Sequence, residues 1–392
     1  MRGATKNVKT REALLQPVRR VVIKVGSGVL TTKKGLNRQV INRLADDICF
    51  FREKGLETIL ISSGAIASGL SKLGMKKRPV PISHQQAVAA VGQSSLMMAY
   101  EKAFGRHRQK VAQILVTRDD LNHRRRYLNA RNTLFTLLSW DIIPVINEND
   151  TVVVDEIKFG DNDNLSAMVT NLTESDLLIN LTNIDGLYDK DPREHRDARL
   201  ICQVDQVNRM IMRYASSIPG FLGTGGMASK INAARKVSMA GVPMIIANGT
   251  KAEVLKKILT GEAEGTLFLP QEETLCRRKH WIAFAKATKG DIFVDRGAEK
   301  ALLKSGRSLL PTGIVEVKGS FSVGDSVVVR NGQGHELAVG MVNYPSGEMA
   351  KIKGLKSDQI EAVLGYKHDD EVIHRDNLVI TERLERGDEE CQ

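Results

Sequence analysis

The chain has 392 residues, 42% hydrophobic and 26% charged, with four cysteines and a formal net charge of +11. That length allows two or three domains with a sizeable core, and no apolar run comes near the roughly 18 residues that a membrane span requires. Cys49, Cys202, Cys276 and Cys391 are far apart and form no CxxC or zinc-like spacing, which fits the reducing cytoplasm rather than a disulfide scaffold. Residues 275–392 hold 18 Lys and Arg against 18 Asp and Glu, so the whole positive excess lies in residues 1–274, where it points to anionic partners.

Residues 1–17 are basic without the apolar core of a secretory signal and read as a flexible or loosely docked arm. The β-branched run Arg20–Val25 stops at Gly26-Ser27-Gly28, and residues 37–53 then place Val40, Ile41, Leu44, Ile48 and Phe51 at helical spacing. A second strand, turn and helix follow at 58–61, Ser62-Ser63-Gly64 and 65–73. A helix at 85–104, a strand at 111–116, a helix at 130–140 and a buried strand at 142–146 come next. That strand opens into the most polar stretch of the chain, where Asn147, Glu148, Asn149, Asp150, Asp155, Glu156, Asp161, Asn162, Asp163 and Asn164 crowd together. Such side chains compete for backbone hydrogen bonds, so they predict a polar hairpin leading to a helix capped near Asp161, with 151–159 as a mobile flap.

Beyond it the pattern predicts a helix at 164–172, a strand at 177–181, a turn at Asp185-Gly186 and a charged stretch at 189–199. A glycine-rich loop at 220–226 precedes a helix at 227–240, a strand at 242–247, a helix at 252–259 and a last strand at 265–268. The alternation argues for an α/β domain over 18–274, its largely parallel sheet covered on both faces. Residues 275–376 change texture, with short strands at 281–285, 291–294, 313–317, 326–329, 337–342 and 349–352 and short helices at 298–304 and 357–364. They read as a small, mostly β domain, and 377–392 as a charged tail.

Lys24 lies in a strand written VVIKVGSG. Either it is an edge-strand lysine in solvent, or it delivers an ammonium to a phosphate over Gly26 and Gly28, where missing side chains let backbone N–H groups approach. Gly223-Thr224-Gly225-Gly226-Met227-Ala228-Ser229-Lys230 leads into a helix. It would set free N–H groups and a helix dipole against an anion, with Lys230 adding a charge, although it is not a Walker A sequence. Ser63-Gly64 ends another strand in the same way. The chain has no Gly-x-Ser-x-Gly and no His-x-x-x-His, and its eight histidines do not cluster, so no general base is evident. A carboxylate acceptor needs none, because with a pKa of about 4.3 it is already a nucleophile at neutral pH. Phosphoryl transfer from ATP then reduces to positioning and charge neutralisation, which two lysines and Mg²⁺ supply.

VVIKVGSGVLT, ISSGAIASG, INENDTV, KFGDNDNLSA, LTNIDGLYDKDPR, GTGGMASK and GTLF, in this order and spacing, resemble the glutamate 5-kinase family of the amino-acid kinase superfamily. SLLPTGIVEVKGSFSVGDSVVV resembles the PUA domain that bacterial members carry, and the likeness covers about 18–375. It implies a three-layer α/β/α sandwich (the amino-acid kinase fold) plus a PUA-like domain, and ATP-dependent phosphorylation of the γ-carboxylate of L-glutamate, the first step toward proline. By matching motifs, Lys24 and Lys230 would neutralise the transferring group and Asp163 would hold both. Ser63, Asp150 and Asn162 would bind glutamate, with Asp150 suited to its ammonium and Asn162 to its carboxylates. Thr182, Asn183, Gly223, Thr224, Gly225, Gly226 and Met227 would line the ATP site, together with Lys24 and Lys230. Asn183 stands where the family often has Asp, which keeps an acceptor and loses a charge. The resemblance also implies Mg²⁺, competitive inhibition by proline, a homo-oligomer (dimer or tetramer) and a hand-off of product to glutamyl phosphate reductase, with no membrane association. Two alternatives stand beside it: another phosphotransferase of the superfamily, or RNA binding through the PUA-like domain. The second would need a basic face, for which Lys351, Lys353 and Lys356 are the local candidates.

Overall fold

The computed structural model describes residues 11–32, 35–122, 124–153, 162–216, 226–271 and 288–381, and the chain divides into two compact units, 1–274 and 275–392. The first unit contains β1 (Arg20–Val25), a small hairpin of β2 (Thr31–Thr32) and β3 (Gly35–Leu36), β4 (Glu57–Ser62), β5 (Val111–Val116), β6 (Ile143–Glu148), β7 (Leu177–Thr182), β8 (Gln203–Val204), β9 (Met244–Asn248) and β10 (Thr266–Phe268). All but the hairpin form one sheet, in the order β5-β6-β4-β1-β7-β9-β10-β8. Pairing from β5 through β9 is parallel, β10 runs antiparallel to β9, and β8 runs parallel to β10. The carboxyl ends of β1, β4, β6, β7 and β9 therefore share one edge of the sheet, the position where ligands gather in open α/β folds.

Side-chain alternation assigns each face of the sheet a different job. Val21, Ile23 and Val25 of β1, Leu177, Ile179 and Leu181 of β7, and Ile245 and Ala247 of β9 join one apolar core with Ile41, Leu44, Ile48 and Phe51 of the Arg38–Glu53 helix and Leu96, Tyr100 and Phe104 of the Ile82–Gly105 helix. The opposite face carries Val22 and Lys24, in register with Leu178 and Asn180, under the Asn162–Leu172 and Met227–Met239 helices. One face is thus mainly apolar core, while the other brings charged and amide side chains inward near the strand ends.

The helix Ala65–Lys72 is held close to Ile82–Gly105 by two glycines. A Cβ on Gly92 would lie 1.8 Å from the Ala65 carbonyl oxygen, and one on Gly69 would lie 1.9 Å from that of Val88, distances that no side chain tolerates. This contact fixes the start of the first helix, where Gly64 adopts a left-handed conformation (φ +107°) that glycine takes at no steric cost.

The second unit has a five-stranded sheet, β12-β11-β13-β14-β15, of β11 (Thr288–Val294), β12 (Ile314–Gly319), β13 (Ser326–Arg330), β14 (Glu336–Met341) and β15 (Leu378–Ile380). Its separate core gathers Ile292, Val327, Val329, Tyr344, Met349, Ile352 and Ile360.

Several sequence expectations are corrected here. Within the arm expected to be flexible or loosely docked, Arg11–Leu15 is a helix whose Leu15 is buried, and its Arg11 guanidinium donates to the Glu264 carbonyl. The expected strand at 349–352 belongs to a helix, Ser346–Ile352, because Met349 and Ile352 are the buried pair and three-residue spacing suits a helix face. The expected charged tail begins with β15, whose Leu378 and Val379 are buried against β14. Asn147 and Glu148, expected in a loop, complete β6, where they pair with Leu115 and Val116 of β5. Lys351, Lys353 and Lys356 are exposed. The expected strand at 281–285 and residues 154–159 of the expected flap lie outside the described residues.

Candidate active site

Lys24 reaches the sheet's carboxyl edge from the penultimate position of β1, and Asp163 is the second residue of the Asn162–Leu172 helix. A carboxylate is favoured there by the positive end of the helix dipole. Lys230, in the first turn of Met227–Met239, would be disfavoured by its own dipole without that carboxylate. The Lys24 Nζ lies 2.5 Å from Asp163 Oδ1 and the Lys230 Nζ 3.0 Å from Oδ2. Lys24, Asp163 and Lys230 are only 4%, 1% and 6% exposed, so water does little to screen them. Two neutral donors complete the carboxylate's shell: Asn180 Nδ2 donates to Oδ1 at 2.9 Å and Ser229 Oγ to Oδ2 at 2.5 Å.

Among the described residues, two buried ammoniums share this one carboxylate. Positive charge concentrated out of water in this way attracts an anion. Burial pushes the Lys24 ammonium below its ordinary pKa, with Asp163 opposing that drop and Lys230 adding to it. Burial would raise Asp163, but Lys24 and Lys230 outweigh it and hold the carboxyl well below the usual carboxylate range.

The glycine turns surround this triad. The Gly26 N–H donates to the Leu181 carbonyl at 3.0 Å and the Ser63 N–H to that of Val25 at 3.1 Å, tying together the ends of β1, β4 and β7. Gly28 faces Asn183, whose side chain would sit 3.4 Å from a Cβ there, and the Thr182 hydroxyl lies 3.4 Å from Asn183 Oδ1. Neither the helix after Gly64 nor the one after Gly226 has a side-chain cap bond, so both present free backbone N–H groups.

A second cluster starts one residue earlier on the same helix. Asn162 Nδ2 donates to Ser63 Oγ at 2.9 Å and to Asn147 Oδ1 at 3.0 Å, while Asn147 Nδ2 donates to Gln93 Oε1 at 2.9 Å. Three residues after Asn147 and two past β6, half-buried Asp150 has its carboxyl pushed up to about 6 by burial, with Arg78 acting in the opposite direction. The structure thus brings Lys24, Lys230 and Asp163 together, Ser63 with Asn162, and Thr182 with Asn183. Met227 is buried and Gly226 caps its helix, whereas Gly223, Thr224 and Gly225 lie outside the described residues. Sequence reading missed Asn180, Ser229, Asn147 and Gln93 as members of these clusters. Ser229, adjacent to Lys230, was within reach of the motif, but nothing local marks Gln93.

The model of the amino acid kinase family matches residues 19–248 and that of the PUA domain residues 290–364. The fold and the paired lysines described above are therefore those of an amino acid kinase carrying a PUA domain. Relatives named glutamate 5-kinase from Geobacter sulfurreducens and Geobacter metallireducens are 52% and 54% identical over 371 residues, 94% of this chain and 100% of each relative. One from Syntrophotalea carbinolica is 50% identical over 94% of this chain and 99% of its own length. The chain belongs to the glutamate 5-kinase family.

Proposed function

We propose that the first unit transfers the terminal phosphoryl group of ATP to the side-chain carboxylate of L-glutamate, giving L-glutamyl 5-phosphate, the opening step of proline biosynthesis. The observation that carries this reading is the buried Lys24–Asp163–Lys230 triad, two ammoniums sharing one carboxylate at the strand ends, and the relatives' name supplies the acceptor. In this reading a carboxylate oxygen attacks the γ-phosphorus, the bond to the β-phosphate oxygen breaks, and ADP departs with its electron pair. No proton moves, which suits a site whose central groups are two lysines and an already ionised aspartate. Lys24 and Lys230 offset charge on the transferring group, Asp163 holds them apart, and the free N–H groups after Gly226 receive nucleotide phosphates. Thr182 and Asn183 line the nucleotide's side of the site.

Glutamate lies against Ser63 and Asn162, with Asp150 accepting its ammonium. In this reading Mg²⁺ enters bound to the nucleotide's phosphates, and the steps above use none. Proline shares the α-carboxylate and α-nitrogen of glutamate, and in this reading it competes for the Asp150–Asn162 end. The free thiols Cys49 and Cys202 support a reducing, cytoplasmic setting. The open sheet edge at β5, where Gln113 and Leu115 are exposed, supports assembly into a homo-oligomer.

The test is ADP release with ATP and Mg²⁺ on L-glutamate, N-acetylglutamate, aspartate, carbamate and UMP, with and without proline. Turnover on L-glutamate alone, suppressed by proline, is the expected result. Turnover confined to another acceptor would reassign the Ser63–Asn162 pocket.

A further inference from the structure

Strand β7 is fully buried and reads Leu-Leu-Ile-Asn-Leu-Thr. The centre of a parallel sheet favours an unbroken apolar run, and Asn180 interrupts it at 0% exposure. Only one oxygen–donor contact offsets that burial. Asn180 Nδ2 donates to Asp163 Oδ1, while the Asn180 Oδ1 has no hydrogen-bond partner. A leucine like its neighbours would pack without leaving a buried acceptor unsatisfied, so Asn180 costs the fold stability. Buried polar groups retained against the needs of packing mark places where function overrides stability.

Its placement indicates what the function is. Lys24 and Asn180 are cross-strand partners on β1 and β7, and both reach the same carboxylate oxygen. Each oxygen of Asp163 therefore has one charged and one neutral donor. The two neutral donors differ, because the Ser229 hydroxyl has a second acceptor 2.8 Å away in the Gly226 carbonyl, whereas the Asn180 amide has none besides Asp163. When an ammonium turns toward a phosphoryl oxygen, Asp163 weakens its hold on that lysine, and a carboxylate held by lysines alone would swing after it. A neutral donor can keep the carboxylate aimed without adding charge to the site.

We propose that Asn180 is a positioning residue, a neutral donor committed to Asp163 that keeps this carboxylate oriented while Lys24 and Lys230 engage the transferring phosphoryl group. This rests on the phosphoryl-transfer reading above. The experiment compares Asn180→Leu and Asn180→Asp with the unaltered full-length chain, measuring kcat, KM for L-glutamate and for ATP, and Tm. For Asn180→Leu the expected result is a kcat about tenfold lower, both KM values within twofold, and a Tm unchanged or raised by a few degrees as the orphaned acceptor disappears. Asn180→Asp should lower kcat further, since it replaces the neutral donor with a second carboxylate that repels Asp163 and competes for the lysines. An Asn180→Leu enzyme with unaltered kcat overturns the proposal. So does one whose loss tracks a lowered Tm or appears in KM, because packing or ground-state binding would then explain the residue. Inactivity of the unaltered chain on L-glutamate would overturn the underlying reading as well, which keeps the two failures distinct.

Discussion

Asn162 and Asp163 are consecutive residues in the first turn of one helix, yet the clusters they anchor manage polarity in opposite ways. Asp163 sits among full charges, one carboxylate shared by two ammoniums. Asn162 sits in a chain of neutral groups, Gln93–Asn147–Asn162–Ser63, where each bond fixes the direction of the next. The difference follows from what each end has to meet. A multiply charged phosphoryl group is stabilised by preorganised positive charge, whereas a small zwitterion is discriminated by the direction of hydrogen bonds and by a single carboxylate at Asp150.

If this contrast is right, damage to the two clusters should appear in different kinetic constants. The largest effect belongs to the charged end. Lys24→Ala or Lys230→Ala should lower kcat by about 100-fold or more, as the loss of one preorganised donor does, and near-normal turnover in both would erase the distinction. At the amide end, Asn162→Ala should raise KM for glutamate about 20-fold, the scale of one hydrogen bond to a charged group, with a much smaller change in kcat; steady-state kinetics decide it.

A pH titration sharpens the comparison, because the two aspartates are displaced in opposite directions. Asp150, raised to about 6, favours its neutral form in the folded chain. Its contribution to stability is full below the ordinary carboxylate pKa and is lost as pH rises through about 6, so at neutral pH it is a strained anion that an incoming ammonium relieves. KM for glutamate should accordingly climb about tenfold from pH 7 to pH 5. Asp163, held low by its lysines, gives stability above the ordinary carboxylate pKa and loses it only as pH falls well below that value, so it should not contribute to this limb. An Asp150→Asn enzyme that retains the same acid limb would assign it elsewhere. The smallest effect should follow Gln93→Leu, which removes the last link of the amide chain. About a fivefold rise in KM with unchanged kcat is expected, and a change in kcat instead would mean that the two clusters are mechanically coupled.

The glycine turns, both lysines and the polar run after β6 were all legible in the chain, because each is a local pattern: glycine where backbone must approach an anion, lysine beside it, short amides where a strand ends. The alternation of strands and helices likewise announced a parallel sheet. Other features had no local signature. Asn180 reads as an interruption in an apolar strand until β7 is seen beside β1, in register with Lys24. Gln93 is one polar residue on a long helix until Asn147 is found at the buried end of β6 rather than in a loop. Met349 and Ile352 fit a short strand as well as a helix until the second core chooses the spacing.

What the sequence determined by itself was therefore the set of chemical groups and the order of elements, since composition and periodicity act over a few residues. Which oxygen of Asp163 each lysine takes, which amides line up behind Asn162, and which face of β7 carries Asn180 were decided only by tertiary structure. These depend on strand order and on the close helix contact at Gly69 and Gly92, and such contacts join residues dozens of positions apart.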